Sequence, residues 1–167
     1  TSAQEDLTTT QTAPVLYVIP EDDLSQDDEI REIFIEEAEE VLETIHEYFP
    51  KWAANYENKA ALTEFRRGFH TLKGSGRMVG AKVVGETAWA IENMLNRVID
   101  HTARPSPAMS LLITSVLEMV PDLVRNFSQK EAPVYNPGYL MAVADEFSRG
   151  HAVPEEQVER AVIFAKD

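Results

Sequence analysis

The residues best placed for chemistry lie in one stretch, GFHTLKGSGR, from Gly68 to Arg77. A histidine is followed three residues on by a lysine, and then by glycine where alanine would hold a helix better by roughly 1 kcal/mol. On a helical wheel Arg66, His70, Lys73, Gly74 and Arg77 recur at three- and four-residue steps and share one side, away from Leu62, Phe65, Phe69 and Leu72. His70 is therefore expected at the surface in a basic stripe, with Gly74 clearing space one turn beyond it. A neutral imidazole keeps a free lone pair on one nitrogen. Beside cations it suits a nucleophile that receives an anion, with Lys73 and Arg77 facing phosphoryl oxygens. The same cations would attract a phosphorylated acidic partner.

A nucleophilic imidazole needs its other nitrogen held. The next helix offers Glu86 and Glu92. Glu92 sits beside Ile91 and Leu95 at the edge of an apolar stripe, where it can accept from Nδ1–H and leave Nε2 to attack. Glu86 is turned roughly 120° away by the helical period and is expected in solvent.

The elements that must position these groups are helical. A first helix begins at Asp27 or Asp28, with Ile30, Ile33, Phe34, Ala38, Val41, Ile45 and Tyr48 as its apolar stripe and Pro50 as a candidate end or kink. A second runs from about Asn58 to Val79 and a third from about Lys82 to Asp100, with Val84, Ala88, Ile91, Leu95 and Val98 inward. The link at Gly80-Ala81 is so short that these two must be antiparallel neighbours. A fourth helix, from about Ser106 to Gln129, buries Met109, Ile113, Val116, Val120, Leu123 and Phe127, with Pro121 as an expected kink. Asn136-Pro137 opens a fifth that Gly150 ends, and Pro154 to Lys166 is a short amphipathic tail helix. No segment alternates as a strand. The expected fold is all-α, an up-down four-helix bundle with an accessory C-terminal helix or helices. The expected division is a flexible acidic linker over 1–26, whose apolar patch Val15 to Ile19 could lie against the domain, the bundle over 27–150 and a C-terminal tail or short helix over 151–167.

Composition narrows the function. The formal net charge of the 167 residues is −14, which disfavours nucleic acid and anionic membranes as partners. The charge is uneven: thirteen acidic residues against Arg31 between Glu21 and Glu47, then six basic residues against Glu64 between Lys59 and Lys82. There is no cysteine, which excludes disulfides and thiolate metal sites and fits a cytoplasmic setting. No unbroken apolar run approaches a membrane span, and no signal peptide is visible. The chain does not begin with Met and is expected to be a piece of a longer protein. His46, His101 and His151 show no metal spacing, and no metal is expected. Trp52 and Trp89 are expected to pack.

The run FHTLKGSGRMVG resembles the phosphoacceptor signature of histidine phosphotransfer (HPt) domains. Extended to FHTLKGSGRMVGAKVVGETAWAIENMLNRV, it resembles the N-terminal phosphotransfer domain of CheA-type chemotaxis kinases. It is closer still to the tandem HPt domains of CheA-like hybrid kinases of type IV pilus motility. DDEIREIFIEEAEEVLETI is similar to their first helix, so the likeness covers about Asp27 to Asp100. It implies a bundle with a four-helix core and a phosphoacceptor Nε2 on His70. It further implies phosphoryl support from Lys73, room for a partner at Gly74, and an imidazole oriented by Glu92. Arg66 and Arg77 fall on the partner-binding surface. Trp89 stands where many such domains carry a second histidine, which removes that group's help. Thr71 follows His70 where sensor-kinase dimerisation helices usually place an acid, and this favours a phosphotransfer module. The implied role is that of a phosphocarrier, not an enzyme. A kinase ATP-binding domain loads His70, and a receiver-domain aspartate unloads it. ATP and Mg²⁺ then belong to those partners, with no cofactor in this chain, which is expected to be monomeric. The alternative is a helical docking module without phosphotransfer.

Overall fold

The computed structural model describes residues 15–167. Six helices follow in order: α1 (Asp28–Ala54), α2 (Lys59–Val79), α3 (Lys82–Ile99), α4 (Pro107–Ser128), α5 (Gly138–Ser148) and α6 (Glu155–Lys166). No strand occurs among the described residues. The all-α expectation holds. Helices α1 to α4 form an up-down bundle: α1 packs along α2, α2 along α3, and α4 returns to α1. Helix α5 wedges beside α3 and α4, and α6 lies on α4 and α5.

Local chemistry explains the ends of the site-bearing helices. The Asn58 side chain accepts from the Ala61 amide at 3.0 Å and caps α2. Its other end closes on Gly80, whose φ of 85° is the left-handed region that glycine enters freely. Ala81 N–H then reaches back to the Gly76 carbonyl at 2.8 Å. This tight closure folds α3 straight back along α2.

The phase of α1 differs from the expected stripe. Its buried row is Arg31, Phe34, Ala38, Leu42, Ile45, Phe49 and Trp52, while Ile30 and Ile33 are exposed and Val41 and Tyr48 half-buried. The reason lies at both ends. Trp52 stacks with Phe65 and Tyr56, at centroid distances of 5.3 and 4.9 Å, and so fixes the phase at the C-terminal end. At the other end the Arg31 guanidinium is buried with partners: the carbonyls of Gln26 and Ser128 and the carboxylate of Asp28. Pro50 does not end α1. It sits on the exposed side, and the carbonyl it leaves without a donor belongs to His46, also exposed.

One further boundary differs. The segment expected as a flexible linker lies against the bundle from residue 15 onward; residues 1–14 of that linker fall outside the described residues. Tyr17 N–H donates to the Gly138 carbonyl at 3.1 Å and Asp23 N–H to the Gly80 carbonyl at 2.8 Å. The Asp22 carboxylate accepts from Val83 N–H at 3.0 Å and supplies the N-cap that Ala81 cannot. The Tyr17 ring packs on Trp89 at 6.4 Å. Composition suggested a linker because these anchors, the Tyr17 ring apart, are backbone groups and one carboxylate, which leave no hydrophobic period. The short amphipathic helix expected over Pro154 to Lys166 forms as α6 and packs, with Val158, Ala161 and Ala165 buried. Helix α4 is long and apolar enough to cross a membrane by composition alone, yet it is the bundle's central helix, buried against α1, α3, α5 and α6.

Candidate phosphoacceptor site

Helix α2 separates two kinds of side chain. Leu62, Phe65, Phe69 and Leu72 are buried in the core, as their spacing requires. That leaves the His70 side chain 58% exposed on the flank toward α3. On α3, Val84, Ala88, Ile91, Leu95 and Val98 are buried, and the same helix carries Glu92 to within reach of α2.

Glu92 is the centre of the site. Its side chain is 8% exposed. Oε2 lies 2.7 Å from His70 Nδ1, and Oε1 lies 2.6 Å from Lys73 Nζ. Arg66 Nη1 stands 3.9 Å from Oε2. Burial alone would raise the Glu92 carboxyl. The hydrogen bonds and charges of Lys73 and His70 together outweigh it and hold the group below the usual carboxylate range. Glu92 is therefore an anion, and an anion can only accept. The proton of the 2.7 Å bond then sits on Nδ1, which leaves the lone pair of a neutral ring on Nε2, the nitrogen not engaged with Glu92.

The candidate residues are not all gathered at this point. His70, Lys73, Arg66 and Glu92 converge. Lys73, expected at the phosphoryl group, has its ammonium on Glu92, whose buried charge needs a counter-ion. Arg77 lies a turn away and donates from Nε to Glu86 Oε2 at 2.8 Å. Glu86, expected in solvent, is half-buried in that ion pair. The missed signal was the register of the turn. Once His70 opposes Glu92 across a link as short as Gly80-Ala81, Arg77 must oppose Glu86. Ser75 carried no assigned chemistry; its hydroxyl donates to Glu37 of α1.

The glycines of α2 sort by cause. A Cβ on Gly68 would lie 2.5 Å from Ile45 Cγ1, and one on Gly76 would lie 3.1 Å from backbone atoms of Ala81 and Gly85. Close packing explains both. A Cβ on Gly74 would meet nothing within 4 Å among the described residues. Gly74 keeps open the surface one turn from His70.

Comparison with known proteins gives the family and the fold. The family model described as the Hpt domain matches residues 29–128. The chain belongs to the Hpt domain family. A solved structure titled as the phosphorylated P1 domain of CheA3 in complex with CheY6, from R. sphaeroides, matches with a TM-score of 0.61. Its sequence identity is 16%, over 83% of this chain and 99% of that one. At that identity the likeness is one of fold. No curated protein matches the chain.

Proposed function

We propose that this protein is a histidine phosphotransfer module of a two-component, chemotaxis-like phosphorelay, with His70 Nε2 as the phosphoacceptor. The observation that carries the reading is the 2.7 Å bond from His70 Nδ1 to a buried, ionised Glu92, which leaves Nε2 unengaged by that carboxylate on a largely exposed ring. Family membership and a structural neighbour titled as a phosphorylated P1 domain bound to CheY6 support it.

Loading forms an N–P bond at Nε2 as the O–P bond to the departing ADP breaks. The Nδ1 proton stays in place and the ring gains positive charge. Glu92 stabilises that charge across an existing hydrogen bond, with no reorganisation at the moment of transfer. Unloading forms an O–P bond to a receiver aspartate as the N–P bond breaks, and the ring leaves neutral with its proton still on Nδ1. Lys73 and Arg66 act through Glu92, keeping it ionised and aimed. Catalysis of loading belongs to a kinase ATP-binding domain, and Mg²⁺ to the partner domains. The module is substrate and carrier within a larger CheA-like kinase of the cytoplasm.

The test is incubation with ATP and a CheA-type kinase catalytic domain, followed by intact mass at neutral pH. Acid-labile, base-stable phosphate is expected on the wild type and absent from His70→Gln. Label that survives His70→Gln, or none on the wild type with a kinase verified as active, overturns the reading.

A further inference from the structure

We infer that Arg66 is the side chain that holds the phosphoryl group once His70 is loaded, a role the resemblance gave to Lys73; this rests on the phosphotransfer reading above. The cations of α2 differ in what they already hold. Lys73 Nζ lies 2.6 Å from Glu92 Oε1. Arg77 donates to Glu86 at 2.8 Å, and Arg67 donates to Glu64 at 2.8 Å. Arg66 is different. Its Nη1 stops 3.9 Å from Glu92 Oε2, beyond hydrogen-bond length, and its buried Nε has no partner among the described residues. A buried N–H left unpaired is costly, and native proteins keep few of them. The cost points to a state of the molecule in which this guanidinium is used. Loading supplies such a state, because a phosphoryl group brings close to two negative charges and three acceptor oxygens.

Position favours the same residue. Arg66 and His70 stand four residues apart, one above the other on the helix. Side chains of a helix lean back toward its N-terminus, so the imidazole covers the turn that carries Arg66. Both reach for one atom: Glu92 Oε2 is 2.7 Å from His70 Nδ1 and 3.9 Å from Arg66 Nη1. The guanidinium therefore lies beside the ring. Its side chain is 28% exposed, and no hydrogen bond to Glu92 has to break for it to turn toward Nε2. Lys73 would have to leave a 2.6 Å bond and strip a buried carboxylate of its counter-ion. A planar guanidinium also binds two phosphoryl oxygens at once, which an ammonium does not. Charge is then matched at each end of the loaded ring. Glu92 faces the proton on Nδ1, and Arg66 faces the dianion on Nε2.

The experiment separates this from the underlying reading. Phosphoramidate, a small donor that needs no kinase, loads the wild type, Arg66→Gln, Arg66→Lys, Lys73→Gln, Glu92→Gln and the Arg66→Gln/Glu92→Gln pair. Phosphorus NMR then follows the second ionisation of the phosphoryl group from alkaline pH downward. In Arg66→Gln that group should bind its proton about tenfold more tightly than in the wild type, because no adjacent cation favours the dianion. Arg66→Lys, which keeps a cation on a similar stem, should restore most of the wild-type behaviour. Lys73→Gln should change the titration less than Arg66→Gln does. The effect of Arg66→Gln should persist in the Glu92→Gln background, since a direct contact does not pass through that carboxylate. An unchanged titration in Arg66→Gln overturns the inference. So does an effect that vanishes in the Glu92→Gln background, which would leave Arg66 acting through Glu92 alone. A larger effect from Lys73→Gln also overturns it and gives the phosphoryl group to that lysine. Failure of the wild type to load, or loading of His70→Gln, defeats the phosphoacceptor reading itself and this inference with it.

Discussion

The seam between α2 and α3 holds two carboxylates against cationic side chains, and their surroundings differ. At one end Arg77 meets Glu86 at 2.8 Å, with the arginine side chain 44% exposed. At the other, Glu92 is held at 2.6 Å by Lys73 and at 2.7 Å by His70, in a position nearly closed to water. The distances are alike. What differs is burial of the acid and the nature of a partner. Arginine has no lone pair to offer and stays charged. Histidine, with one nitrogen held by a buried anion, keeps a lone pair on the other, which the proposed function uses as a nucleophile. The pair at Glu86 zips two helices together, whereas the cluster at Glu92 fixes the orientation of an exposed imidazole.

The most drastic way to break the contrast is His70→Gln. It should abolish phosphoryl labelling and leave the circular dichroism spectrum and melting temperature at wild-type values, because the ring packs into no core. A large fall in helicity would mean that the imidazole is structural. Glu92→Ala comes next. Losing the group that orients a reactive ligand typically reduces activity by about 10- to 100-fold, and labelling by the kinase should slow within that range. Glu86→Ala, the matched change at the other end of the seam, should leave the labelling rate within about twofold. Equal effects would erase the distinction between the two ends.

The core logic of α2 to α4 was legible in the sequence because those helices have one unambiguous period. Leu62, Phe65, Phe69 and Leu72 fall where the wheel puts them, and the turn at Gly80 fixes which helix faces which. His70 and Glu92 followed from that register. Helix α1 was harder because two apolar rows compete in it. Ile30 and Ile33 looked like core, while a buried arginine took the inward place, held by a carbonyl from Ser128, 97 residues away. No local pattern reports such a partner. The docking of residues 15–26 was only partly legible for a related reason: apart from the Tyr17 ring and the Asp22 carboxylate, its anchors are main-chain groups, which every residue carries. The attachment of Lys73 to Glu92 was missed because wheel position gives the side of a helix, not the choice among acceptors on it.

The two kinds of glycine in α2 give the next test, in units of stability. Gly74→Ala should raise stability by about 1 kcal/mol, the helix-propensity gain with no contact to disturb. Gly68→Ala gains the same propensity but drives a methyl into Ile45, and overpacking of about 1–3 kcal/mol should leave it less stable than wild type. Urea unfolding of the two variants reads the sign directly. A loss at Gly74 would show that the glycine serves this chain's own packing rather than an approaching partner.

Acid gives a test that separates the charge of Glu92 from its shape. Its carboxyl is held below the usual range in the folded protein. The linked stability is therefore fully present above the unfolded-state value and is lost as pH falls through the folded one. Wild type minus Glu92→Gln, compared by urea unfolding at neutral pH and again below the ordinary carboxylate range, should shrink toward zero. A constant difference would mean that the variant acts through packing alone.

The smallest effect is expected where the two ends of the seam are least alike. Arg77→Ala removes an ion pair that is partly solvated, and such pairs contribute about 0–1 kcal/mol. The loss should shrink further at high salt, since exposed charges are screened. Labelling of His70 should not change, because Arg77 touches neither the imidazole nor Glu92. If discharge by a receiver slows while loading and stability hold, the arginine contributes to partner approach beyond its bond to Glu86. If loading slows as well, the boundary drawn between the zipper and the site lies a turn too close to His70, and Arg77 belongs with Lys73 and Arg66.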